Sequence, residues 1–131
     1  MGSTEFNEMM LYNLFLLVTL SGNSFSSAPL VFQNPESTEK AKIEFLLKEV
    51  EKLQGAKFWR NGSAHSAQDA ADHLRMKWKK AGSSVKTAKD FIDKIGSQSS
   101  ISGNAYEIEF SDGTKMETRA FFYEQLAEWK P

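Results

Sequence analysis

Two hydrophobic periods alternate along this chain. Ile43, Leu46, Leu47, Val50 and Leu53 recur three and four apart, which places them on one face of a helix. Ser37 is its expected N-cap, Pro35 sits just ahead where a proline is tolerated, and Gly55 is the expected stop. Phe45 falls off the stripe and is expected to face a partner, the leader or solvent. Next, Lys57-Phe-Trp-Arg60 and Ser63-Ala-His65 flank Asn61-Gly62. Asn-Gly is the strongest two-residue hairpin signal, because both central positions need a positive φ. Ser66, with Asp69 three residues on, opens a second helix. Its apolar face carries Ala67, Ala70, Ala71, Leu74, Trp78 and Ala81, and Gly82 closes it. Thr87 and Asp90 cap a shorter helix through Ala88, Phe91, Ile92 and Ile95, ending at Gly96.

Residues 97–103 then read as a polar loop, and the period drops to two. Tyr106, Ile108 and Phe110 alternate with Glu107 and Glu109, as in a half-buried strand. Ser111-Asp112-Gly113 turns the chain into a second short strand, Thr114–Glu117. Phe122, Leu126 and Trp129 mark a last helix. The order α-ββ-α-α-ββ-α predicts a single α+β domain over 37–131. It would be a small antiparallel sheet of two short hairpins, packed with four helices on one side. Two α-ββ-α units in tandem would give the same order, but the halves share no sequence identity. Residues 29–36 read as an irregular lead-in.

The chain ahead of this domain has a different character. All 16 Lys and Arg lie at Lys40 or later. Met9 to Leu20 is a nearly unbroken apolar run, followed by the small polar residues 21–28. Twelve residues are too few to cross a bilayer, which takes about 20. The run fits the core of a secretory signal peptide over 1–28, cut after Ser26 or Ala28. It lacks the Lys or Arg that opens such a peptide, so residues 1–8 precede the true start or are an added remnant. The alternative is a buried N-terminal helix of a cytosolic protein. Export predicts a periplasmic location, with no stable membrane span once the leader is removed.

Composition removes several functions. Formal net charge is −1, and without residues 1–28 the balance is 16 basic against 15 acidic. Neither suits a nucleic-acid binder, which needs clustered positive charge. There is no Cys, so disulfides, thiolate metal sites and a cysteine nucleophile are excluded. His65 and His73 are the only histidines and lack the companion ligands of a metal site. Neither a Gly-x-Ser-x-Gly elbow nor a phosphate-binding glycine loop occurs. Glu107 and Glu109 share one strand face, as a glycosidase pair would need, but that face is expected to be wet. Arg75, Lys77, Lys79 and Lys80 read as a solvated helix face beside Trp78, which lies on the buried stripe. No catalytic residue, metal or cofactor is assigned.

What remains is a polar cluster. Arg60 and Asn61 sit at the hairpin turn, and His73 and Lys77 stack four apart on one helix flank. Ser99, Ser100, Ser102 and Tyr106 follow on the loop and strand. If these meet, they suit a carboxylate, a sugar or a peptide end. The plainer reading is that Asn61 serves only its turn, His73 flanks a helix and the serines cap.

The same residues carry a resemblance. Phe58-Trp-Arg-Asn-Gly62, His73-Leu-Arg-Met-Lys77, Thr87-Ala-Lys-Asp-Phe-Ile92 and Ser99-Ser-Ile-Ser-Gly-Asn-Ala-Tyr106 occur in that order. Over residues 43–130 the chain resembles the YfeK-like family of small exported bacterial proteins of unknown function. The resemblance implies a signal peptide and assigns no activity, cofactor or catalytic residue. The residues favour a non-catalytic binding module of the cell envelope, recognising a small polar or anionic ligand or a peptide. The alternatives are a hydrolase of an envelope polymer with His73 as general base, and an assembly protein pairing through Phe45 and Val31-Phe32. The partner is thus an unknown envelope ligand or protein, and the oligomeric state stays open.

Overall fold

The computed structural model describes residues 34–131. The expected leader over 1–28 and residues 29–33 lie outside the described residues. Helix α1 (Pro35–Glu51) starts at Asn34, whose side-chain oxygen accepts the Glu36 N–H at 2.9 Å. The cap is therefore Asn34, not Ser37, whose hydroxyl donates to the Asn34 carbonyl. Pro35 takes the first helical position, where its missing N–H costs nothing. Residues 35 and 36 thus belong to the helix rather than to a lead-in. The helix stops at Glu51, short of Gly55, which takes a positive φ of 81° in the following turn. Ile43, Leu46, Leu47 and Val50 are buried as their spacing predicts, and Leu53 is half-buried. Phe45 also packs against the core, so it does not stand out as a free patch.

Strands β1 (Lys57–Arg60) and β2 (Ser63–His65) form the Asn-Gly hairpin. Asn61 and Gly62 have φ of 51° and 81°, which a two-residue turn of this hand requires. Strands β3 (Glu107–Glu109) and β4 (Lys115–Glu117) form the second hairpin. β1 pairs antiparallel with β3, so the sheet runs β2-β1-β3-β4. Phe58, Ile108 and Met116 align on the face turned to the core. Trp59, Glu107 and Glu117 align on the opposite face, where Glu107 is exposed as expected.

The other helices cover the core face. In α2 (Ala67–Ala81), Ser66 Oγ accepts the Asp69 N–H at 3.0 Å. The helix buries Ala67, Ala71 and Leu74, and Trp78 meets Phe91 edge-on at 5.9 Å. A 3-10 turn, Gly82–Ser84, leads to α3 (Ala88–Phe91), which Thr87 and Asp90 hold with a complete capping box. The Ala88 N–H is also accepted by Glu39 of α1 at 2.7 Å. That bond is the main reason the Glu39 carboxyl lies below its usual range. The expected third helix changes character midway: α3 runs into a π-helical turn, Ile92–Gly96. Gly96 permits this, because a Cβ there would stand 2.6 Å from Phe122 Cε2. Helix α4 (Thr118–Glu128) supplies Phe122, whose ring meets Phe91 at 5.8 Å in the centre of the core. The class is α+β, with the predicted element order.

Candidate functional site

The cluster is built around Tyr106, the residue leading into β3. Its N–H donates to Ser97 O at 3.0 Å, and its carbonyl accepts the Thr118 N–H at 2.9 Å. These bonds bring the polar loop and the start of α4 to one place. Lys77 of α2 reaches across, donating to the Tyr106 hydroxyl at 3.0 Å, Ile95 O at 3.0 Å and Gln98 O at 3.2 Å. An ammonium has three N–H donors, so Lys77 is fully used. Ile95 O lies in the last part of the π-helical turn, where a cation is favoured, and Gln98 O lies two residues past it. Lys77 is therefore not part of a solvated basic face. Arg75 also leaves that face, pairing with Glu51 at 2.5 Å and Glu44 at 3.7 Å of α1.

Asn61 does more than make its turn. Its Nδ2 donates to Ser99 Oγ at 3.2 Å, and its Oδ1 accepts the Ser102 hydroxyl at 2.5 Å. Ser99 Oγ also accepts the N–H groups of Ile101 and Ser102 at 3.2 and 3.3 Å. The hairpin tip thus clasps the loop. Ser97 and Ser99 are buried, so the loop is not simply solvated. Ser100 is exposed and joins none of these contacts. Of the eight expected residues, the structure joins Asn61, Ser99 and Ser102 in one network and Lys77, His73 and Tyr106 in another.

Arg60 and His73 face a small pocket of about 30 Å³ beside the second network. Its walls are Phe58, Trp59, Ala70 and Leu74, with Tyr106 at one side. Its other polar members are His65 and Thr118, and no carboxylate lines it. Three features distinguish this pocket. The Arg60 guanidinium makes no hydrogen bond or ion pair among the described residues. Thr118 is only 2% exposed, and its Oγ1 is buried without a partner. His65 Nε2 is likewise buried and unpartnered. Buried polar atoms are almost always hydrogen-bonded, so two orphans on one cavity require a reason.

The electrostatics agree in sign. Burial lowers the His73 pKa to about 4, helped by the positive charges of Arg60, Lys77 and Lys80 and by His65. At neutral pH His73 is an uncharged ring against the edge of Tyr106, 6.4 Å between centroids. The pocket is a low-dielectric recess with a free guanidinium and no counter-charge. Outside it, on the opposite sheet face, Glu109 accepts the Trp59 Nε1–H at 2.9 Å and so is committed structurally.

Sequence reasoning missed His65 and Thr118 as members. A two-residue turn at 61–62 pairs Phe58 with His65, so the hairpin register alone puts both on the core face. Thr118 follows Met116 at strand spacing, which continues the inward face into α4.

The protein family described as a family of unknown function, DUF5329, matches residues 37–130. The chain belongs to that family. An uncharacterized protein YfeK of Salmonella typhimurium (strain LT2) is 38% identical over 73 residues. The match covers 56% of this chain and 61% of that relative, so the chain spans under two thirds of the relative's length. The resemblance carried by the four motifs is thus borne out. No solved structure matches. Among the described residues, no helix is long and apolar enough to cross a membrane.

Proposed function

We propose that this protein is a non-catalytic binding module of the cell envelope that takes a small anionic group at Arg60. The observation that carries this is the unpaired guanidinium, set in a pocket with no carboxylate. A partly desolvated cation recovers its lost hydration when an anion accepts its N–H groups. Lys77, Asn61, Ser99 and Ser102 hold the frame, and Arg60 and His73 meet the ligand. The pocket supports binding over hydrolysis by a His73 base. With a pKa of about 4 that ring is a weak base at neutral pH, and no serine hydroxyl among the described residues is bonded to it. The apolar run Met9 to Leu20 and the small residues after it support export.

Amide NMR of the full chain, titrated with soluble envelope fractions, tests the binding. Shifts gathered at Arg60, His73 and Tyr106, and absent in Arg60→Met, are the expected result. An unchanged response in Arg60→Met overturns the site. For export, a periplasmic product beginning after residue 26 or 28 is expected. An uncut chain confined to the cytosolic fraction overturns it.

A further inference from the structure

We infer that the pocket takes a carboxylate, held by Arg60, the Thr118 hydroxyl and His65 Nε2. This rests on the anion site proposed above and names the ligand's chemical class. The argument starts from the two orphaned atoms. Thr118 Oγ1 and His65 Nε2 are buried without partners, and both residues line the cavity that Arg60 faces. Arg60 can donate from several N–H groups, the Thr118 hydroxyl can donate, and His65 can carry its ring proton on Nε2. All three can therefore serve acceptor oxygens.

The cavity walls then select the class. The cavity is small, about 30 Å³, and walled mostly by apolar side chains. A flat two-oxygen group leaves less polar surface against such walls than the four tetrahedral oxygens of a phosphate or sulfate. Two oxygens on a flat group match a carboxylate, which also suits the planar guanidinium. The rest of the ligand would leave past the apolar walls, Phe58 and Leu74 among them. Two ordered waters are the competing occupant, since they too would satisfy both orphans.

The test is amide NMR of the full chain with sodium acetate, N-acetyl-alanyl-alanine or inorganic phosphate as probe. It is run on the native protein, Arg60→Met and Thr118→Val. Thr118→Val keeps the side chain's shape and removes only an unpaired hydroxyl, so the variant is expected to fold. The expected result is saturable shifts at Arg60, His65 and Thr118 with either carboxylate and none with phosphate. Thr118→Val should weaken carboxylate binding about tenfold, the worth of one hydrogen bond to a charged group. Tighter binding of the dipeptide than of acetate assigns the group to a peptide end, and equal binding assigns it to a free acid. Phosphate binding at Arg60 without carboxylate binding overturns the carboxylate assignment and leaves the anion site standing. Carboxylate binding that Thr118→Val does not alter overturns the three-donor site and leaves the anion site standing. No shift with any probe overturns both, leaving waters as the occupant.

Discussion

Lys77 Nζ donates to the Tyr106 hydroxyl at 3.0 Å and lies 5.0 Å from the centre of the same ring. The two residues are 29 positions apart, and between them runs the π-helical turn whose Ile95 carbonyl Lys77 also serves. This one ammonium ties α2 to α3's continuation and to the first residue before β3. Its role is to hold the site's frame.

Removing it should therefore cost stability. Lys77→Met keeps the stem and leaves Ile95 O and Gln98 O short of a donor. A loss of about 1–3 kcal/mol is expected, read from the urea midpoint at unchanged slope. Arg60→Met, whose guanidinium touches no partner, should stay within about 0.5 kcal/mol of the native protein. Equal losses in the two variants would contradict this division of roles.

The Asn61 clasp separates from the Asn61 turn in Asn61→Gly. Glycine accepts the positive φ of 51° but cannot bond Ser99 or Ser102. The hairpin should persist while the loop loosens, at a cost of about 1 kcal/mol. Amide hydrogen exchange at Ile101 and Ser102 should quicken, with β1 and β3 unchanged. Unaltered exchange in the loop would show that the clasp holds nothing.

Gly96 is required by contact, not by its backbone angle. A Cβ there would meet Phe122 Cε2 at 2.6 Å and Cδ2 at 2.9 Å, and Phe122 is fully buried. Gly96→Ala should cost about 1–3 kcal/mol through overpacking. Combining it with Phe122→Leu should recover part of that loss beyond additivity, because the two sites share one space. Strict additivity in thermal melts would refute the clash.

Acid should weaken the fold through His73. The unfolded chain takes up a proton near pH 6.5, which the folded chain refuses until about pH 4. The contribution is full above pH 6.5 and is lost as pH falls toward 4. Groups facing the ring from β1, β2 and α2 (Arg60, His65, Lys77 and Lys80) all oppose its charging. The lowered carboxyls of Glu39, Asp90 and Asp93 titrate in the same sense at lower pH. His73→Gln isolates the imidazole: urea midpoints compared between pH 7 and pH 5 should fall less in this variant than in the native protein. An identical fall in both would place the acid sensitivity elsewhere.

Much of the fold was legible in the sequence because local rules decide it. The stripe Ile43 to Val50, the Asn61-Gly62 turn, the Ser66 and Thr87 caps and the alternation from Tyr106 to Phe110 each act within a few residues. Periodicity fixes which face is buried, and a short side chain with an oxygen fixes where a helix starts. Errors fell where two local signals competed. Asn34 displaced Ser37 as the cap because Pro35 suits the first helical position, and α1 ended before Gly55.

The site was legible only in part, for the same reason. Membership of the family and the joining of His73, Lys77 and Tyr106 follow from residues already visible in the motifs. Which of these side chains are spent and which are free depends on neighbours far along the chain. Lys77 is saturated by carbonyls of Ile95 and Gln98, and Asn61 by Ser99 and Ser102, whereas Arg60 meets no partner. The two orphaned atoms exist only because β1, β2, α2 and the start of α4 close around one space. Local patterns set each element and its buried face. Only the tertiary structure decided how polar groups from different elements were paired, because hydrogen-bond satisfaction belongs to the assembled interior.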